Sequence, residues 1–480
     1  RVRRQRQMCI RDRYKIAQSA ARVAMMVRNV SVTYKNTYAM SISGFRPEIG
    51  DMLGQTKGAS GFAPGLDFAF GMTGDSYINK ALDNGWLVSD SVVSPATTNA
   101  QEDLQIRMTL EPVRDLKIDL NAGRTRNKSN QIQFMYEGMP QIQSGNFNMT
   151  VITIGSAFER RSASNGYSSS SFNRFLGNLD IIKNRIENMY AGVPYQGQSG
   201  LNQQPLYQVN KYSSDVMIPA FLAAYTGRSA SNSALDLFPG ILSMMPNWRV
   251  TYSGLSKLEF FKKYFKSVTL NHAYRSTYSV GSYSTFQNFH SYMGDWGFVD
   301  DIQTGIPVPS SMYDVSAVSI NEQFSPLLGV DVTFKNGITT KVEYKTTRIL
   351  NLSLAANQIV ESSTKDFVLG MGYKIMGLEL FPGRNKKDSK NKISNDLALR
   401  MDVSFRNQSA LARDIQQVTT QATSGNKALK ISFSADYTLS RLLSVSFYYD
   451  RQKNTPLVSA SSYPVTSADF GMRLKFSLTR

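Results

Sequence analysis

Cysteine and histidine are almost missing from this sequence: Cys9 is its single cysteine, and His272 and His290 are the only histidines among 480 residues. One thiol builds neither a disulfide framework nor a cysteine zinc site. Two histidines so far apart form no His-x-x-x-His metal pair, and no nucleophile and acid accompany them in the pattern of a catalytic triad. A Gly-x-x-x-x-Gly-Lys-Ser/Thr phosphate loop is also missing. The chain is therefore expected to have no metal, no cofactor and no enzymatic activity. Long apolar runs are scarce too. A spanning helix needs about 18 consecutive apolar residues, whereas the longest candidate, Val216–Tyr225, is short and contains Pro219. This excludes a helical membrane protein. No charged segment followed by an apolar core opens the sequence, so the native start is expected upstream.

Arg1–Arg13, RVRRQRQMCIRDR, resembles translated sequencing-adaptor read-through and is expected to be an artefact, leaving residues 14–480 as one unit. Its six arginines and Asp12 account for five of the eighteen net positive charges. Without it no cysteine remains, which suits an oxidising compartment such as the cell envelope. Hydrophobic residues make up 41% of the chain and aromatics 11%, too many for a disordered polypeptide. The basic residues alternate along the sequence and do not gather into a stripe with stacking aromatics. A nucleic-acid partner is therefore not expected; lipid phosphates or a cationic pore lining fit better.

What the sequence has in abundance is hydrophobic period two. Leu397, Leu399, Met401, Val403 and Phe405 alternate with Ala398, Arg400, Asp402, Ser404 and Arg406. Leu429 to Leu439 alternates likewise against Lys430, Ser432, Ser434 and Asp436, and Phe470 to Leu478 against Gly471, Arg473 and Lys475. Several runs reach ten residues or more. That exceeds the roughly 5 to 6 of soluble strands and matches the roughly 9 to 11 of membrane-barrel strands. The expected fold is all-β, part of a large antiparallel transmembrane β-barrel of fourteen to sixteen strands here. Arg400, Asp402, Lys430, Asp436, Arg473 and Lys475 are then candidate lumen-facing residues, and the 24 tyrosines and 26 phenylalanines supply interface girdles. Asn336-Gly337 marks a hairpin with a type I′ turn. Pro382 to Asn395 and Asn407 to Asn426 read as long loops. Phe172 to Tyr190 and Leu255 to Phe265 carry helical spacing, so loop or cap insertions are expected near 156–265, packed on the barrel rim.

Within that middle region, FLGNLDIIKNRIENMY (Phe175–Tyr190), PAFLAAYTGRSASNSALDL (Pro219–Leu237), PNWRVTY (Pro246–Tyr252) and HAYRSTYSV (His272–Val280) resemble the C-terminal region of the SprA/Sov family. That family is the outer-membrane translocon of the type IX secretion system in Bacteroidetes and relatives. The resemblance covers Phe172 through Arg480, and PNWRVTY is its most specific piece. It implies a giant single-chain barrel in the cell outer membrane, of which this chain is the C-terminal part. Folded cargo with C-terminal sorting domains, gliding adhesins among them, would cross it with the help of accessory outer-membrane and periplasmic proteins. It also makes Asn247, Trp248, Arg249 and Tyr252 candidate anchor or partner-contact residues. One departure is the end of the chain, where Phe476 is followed by Ser-Leu-Thr-Arg although many outer-membrane barrels end on an aromatic residue. A large porin or receptor-type channel shares the strands, girdles and charge, and a soluble β-rich surface adhesin shares the alternation.

Overall fold

The computed structural model describes residues 25–480, apart from 49, 59–60, 75, 89–93, 135–140, 160, 192, 194–207, 302–304, 379–395, 440–442, 459–462 and 477–480. Arg1–Arg13 and the loop expected at Pro382 to Asn395 lie outside the described residues. The period-two segments form one fourteen-stranded antiparallel sheet. In chain order its long members are β1 (Val27–Ser41), β2 (Ala96–Val113), β3 (Leu116–Ile132), β4 (Ile142–Thr150), β5 (Asn247–Tyr252), β6 (Phe265–Thr285) and β7 (Ala317–Phe334). They continue with β8 (Ile338–Ser353), β9 (Gln358–Ile375), β10 (Leu397–Asp414), β11 (Thr420–Thr438), β12 (Leu443–Pro456) and β13 (Val465–Phe476). The remaining member, Tyr313–Val315, pairs with β6. Among the described residues β1 and β13 stand at the two ends of the sheet order and do not pair with each other.

Two turn expectations need correction. The stretch expected to be a loop from Asn407 to Asn426 is mostly strand, because β10 and β11 run on paired, with one shift of register between Ala410 and Leu411, to either side of a turn at 415–419. Alternation persists there in polar residues, which hid it from a hydrophobic period. The Asn336-Gly337 hairpin exists, but only Gly337 has positive φ, 88°. A type I′ turn needs two such residues; three residues, 335–337, with glycine last is the type I turn closed by a bulge.

The middle of the sheet is discontinuous. Arg124 to Gln131 of β3 pair with β4, while Leu116 to Asn121 pair with β5. On the other side β6 pairs with the same two segments in turn. β4 and β5 are thus two halves of one strand position, interrupted after Thr150 by residues 151–246, which form a module. The break leaves backbone groups that a continuous strand would have satisfied, and buried groups of this kind need other partners. Thr150 Oγ1 accepts from Gly123 N at 3.1 Å, Asn247 Oδ1 accepts from Ser276 N at 2.7 Å, and Met245 N donates to Thr150 O at 3.1 Å.

The module is built on α1 (Ser170–Met189) and α2 (Ser214–Thr226). In α1, Phe172, Phe175, Leu179, Ile182 and Ile186 recur on one face and are buried. Ser169 caps it, its side chain accepting from Phe172 N at 3.2 Å. α2 is apolar all round, as a helix enclosed on every side must be, and ends at Gly227 with φ 75°. Both helices share a core with Phe147, Tyr278, Ile320, Leu350 and Ile359 of the sheet. The expected helical insertion thus packs on one face at the end of the strands, against Ile320, Leu350 and Ile359, because its chain leaves the sheet in mid-strand. Glu259–Tyr264 forms the second helix indicated by spacing, between β5 and β6.

Candidate functional site: a two-faced wall and its inserted module

Strict alternation assigns each strand residue to a face. Val332, Thr340, Met371, Met401, Phe433, Tyr449 and Phe470 are paired side by side from β7 to β13 and share one face. From the other edge, Val30, Met108, Leu120, Trp248, Tyr274 and Phe324 form a row on that same face. Adjoining rows hold Ile106, Ile118, Val250, Leu270, Val330, Val342, Leu369 and Val403, and the belt they make is free of Asp, Glu, Lys and Arg as far as Ile431, beyond which the row of Val403 reaches Arg451 on β12. Much of it is bare: Met401 is 41% exposed, Phe405 45% and Leu474 62%.

The belt runs obliquely to the rows. The row through Val30 and Met108 reaches β9 and β10 at Lys365 and Asn407. The apolar residues of those strands lie further from the module end, at Phe367 to Tyr373 and Leu397 to Phe405. A level band crossing staggered strands is the geometry of a sheet whose strands tilt against the band's plane.

The opposite face is charged. Arg400 stands opposite Ser434, Asp402 opposite Ser432, Lys430 opposite Ser404 and Asp436 opposite Ala398. Arg473 faces Ser446 and Lys475 faces Ser444. All six candidate residues therefore share this face. Arg406 and Asp366 pair on it at 2.8 Å, and Lys341 and Lys345 each approach Glu343 at 2.9 Å. Gly370 leaves room for a neighbour: a Cβ there would stand 2.8 Å from Asp402 Oδ1.

The four candidate anchor residues do not form one patch. Trp248 and Tyr252 belong to the apolar face, whereas Arg249, paired with Asp119 and Ala273, belongs to the polar one. Asn247 is buried and spent on closing the strand break. Trp248 stacks on Tyr274 at 4.5 Å, and Tyr274 packs on Phe324 at 4.9 Å. These rings form a short aromatic row at the end of the belt nearest the module. His272 adjoins it, its Nδ1 2.7 Å from Leu327 O. His290 approaches Asp300 at 3.2 Å in a separate hairpin.

Beyond the aromatic row, still on the apolar face, the charged wall residues include Arg124 and Arg126 beside Met149 and Phe147 and a cluster of four, Glu322, Arg348, Glu361 and Arg413, each at most 2% exposed. Glu322 forms an ion pair with Arg348 at 2.8 Å and accepts hydrogen bonds from Thr153 Oγ1 at 2.6 Å and from Tyr274 OH at 3.0 Å. Glu361 pairs with Arg413 at 3.2 Å and with Arg161 of the module. Arg348 also donates to Ser156 O at 2.6 Å, and Arg413 to Tyr167 O at 2.9 Å. Buried charges are tolerated when paired and hydrogen-bonded, and every contact here joins wall to wall or wall to module. The sequence holds a usable signal for this cluster: ionic residues standing at apolar-parity positions in four successive strands.

Two module carboxylates are also placed by hydrogen bonds. Burial opposes ionisation of Glu159, but Ser169, Ser171 and Ser170 at the start of α1 donate to it and bring its pKa down to about 2. Burial raises the pKa of Asp215 despite bonds from Ser311 N at 2.9 Å and Ser310 Oγ at 3.1 Å. Among the described residues no three potential metal ligands cluster, and no helix is long and apolar enough to cross a membrane.

No family model and no curated protein matches the sequence. Solved structures to which the chain is similar include OmpT, an outer membrane protein of Vibrio cholerae, folded in vitro, at 7% identity and a TM-score of 0.21 over 94% of this chain and 99% of that one. A form of OmpT lacking loop L8 aligns at 8% identity and a TM-score of 0.20 over 93% and 98%. Likeness of this degree carries no argument about role, and the readings below rest on the wall itself.

Proposed function

We propose that this chain forms a sector of the wall of a large outer-membrane β-barrel that moves protein cargo. The observation that carries the reading is the apolar, oblique, solvent-bare belt opposed by a charged face. A band of that kind is costly in water and stable against lipid, while the charged side suits an aqueous lumen. A soluble adhesin has no use for such a belt. Among the described residues β1 and β13 end the sheet without pairing with each other, and since a sheet in hydrocarbon must satisfy its edge N–H and C=O groups, this supports a sector completed by further strands over a finished pore. Diameter grows with strand number, so a wall extended beyond these strands encloses room for folded protein. The resemblance of residues 172–480 to the SprA/Sov translocon favours secreted cargo with C-terminal sorting domains, and accessory envelope proteins as partners, over the small solutes of a porin or receptor channel.

The test is complementation. The complete gene, expressed in a strain lacking its translocon, is expected to restore secretion of cargo. A stable channel for small solutes that leaves secretion uncorrected would favour the porin instead.

A further inference from the structure

The module and the wall enclose a cavity of about 350 Å³ beside the strand break. Its walls are mainly apolar: Met149, Val151, Pro219, Leu222, Ala223 and Met245. Such a volume lies within the range of small-molecule sites. Among the residues lining it only two are charged, Arg228 and Asp236, and both are exposed, which puts them at its mouth. Arg228 is held there by donating from Nη2 to Ser243 O at 3.2 Å, leaving other guanidinium N–H groups free to donate outward.

Position identifies what enters. Met149 is the last apolar-face residue of β4, and Met245, bonded back to Thr150 O, returns the chain to the sheet three residues before Trp248 of the belt. The cavity therefore lies on the same face as the belt, about 13 Å along the strand from the aromatic row. Between Pro239 and Ser243, both lining the cavity, the chain presents Ile241 and Leu242, 53% and 99% exposed. In water these side chains gain nothing, whereas at the edge of a bilayer they sit in acyl chains. One cation and one anion at the mouth of an apolar cavity match a headgroup carrying phosphate and ammonium together.

We propose that this cavity takes one hydrocarbon chain of a membrane phospholipid whose phosphoethanolamine headgroup lies between Arg228 and Asp236. The inference rests on the reading of the belt as lipid-facing. The module would then be seated on the outer surface of the wall at the headgroup level, gripped by lipid as well as by the ion cluster.

The test uses the full-length protein extracted in mild detergent, exposed to phosphatidylethanolamine or to phosphatidylglycerol with the same chains, and weighed by native mass spectrometry. Wild type is expected to retain one phosphatidylethanolamine. Ala223→Phe, which fills the cavity, and Arg228→Glu, an exposed change that spares the core, should each lower its occupancy at least tenfold. Asp236→Lys should abolish the preference over phosphatidylglycerol. Equal occupancy in wild type and Arg228→Glu, or a retained peptide in place of lipid, would overturn the proposal. Flotation with vesicles separates the two ideas: protein that floats but retains no lipid refutes the cavity alone, while protein that fails to float refutes the lipid-facing wall.

Discussion

A charge placed in the belt measures whether it faces lipid. On β10 the belt extends from Leu397 to Phe405, about 26 Å at roughly 3.3 Å per residue. At the usual tilt of 35 to 45° that covers about 19 to 22 Å of depth, close to the roughly 25 Å apolar band of outer-membrane barrels. Met401 is its midpoint, with Met371 and Phe433 directly beside it. Met401→Arg should cost about 2 to 4 kcal/mol, the range for arginine at the bilayer midplane, or roughly 30- to 700-fold in the folding equilibrium. Leu399→Arg, one step away on the same face, should cost somewhat less. Asn407→Arg, on the same face but beyond Phe405, should cost about 0 to 1 kcal/mol. Arg400→Ala, adjacent in sequence but on the charged face, should change folding little. The assay is urea-titrated folding of the full-length protein into phospholipid vesicles, followed by band shift on unheated gels. A flat profile, with Met401→Arg tolerated as well as Asn407→Arg, would refute the lipid-facing belt.

Other expectations concern the module and its junction. Glu361→Gln leaves Arg161, Arg348 and Arg413 short of a counter-charge in a buried site, which should cost about 3 to 5 kcal/mol; proteolysis within 151–246 should accelerate while the strands stay protected, and unchanged resistance would deny the cluster its clamping role. The folded-state pKa of Glu159 lies below its ordinary value of 4.5, so its stabilising contribution is complete above that value and is lost as pH falls through it toward about 2. Hydrogen exchange at the start of α1 should therefore quicken over that window, and Glu159→Gln should flatten the change. Trp248→Ala removes a ring stacked on Tyr274, a contact worth about 0.5 to 1.5 kcal/mol beyond buried area, and should slow barrel assembly. Arg249→Ala, on the opposite face, should leave assembly rates as they are.

The strands and their two faces were legible in the residues alone. The alternation from Leu397 to Phe405 against Arg400, Asp402 and Arg406 already assigns every side chain to a side, because a strand offers only two and the pleat enforces them. α1 was legible in outline from Leu176, Leu179, Ile182, Ile186 and Met189 at helical spacing: Leu179, Ile182 and Ile186 are buried, Leu176 and Met189 only partly, and Phe172 and Phe175 complete the buried face. The rest depends on which strand lies beside which. Nothing local in Asn247-Trp248-Arg249 reveals that β5 completes the strand begun by β4, because that pairing is written in β3 and β6, far off in the chain. Nor does it reveal that Trp248 and Arg249 look to opposite sides of the wall. Glu322, Arg348, Glu361 and Arg413 read in isolation as ordinary strand charges. They become a buried cluster only because four strands in register stack them on the apolar face and the inserted helices close over them.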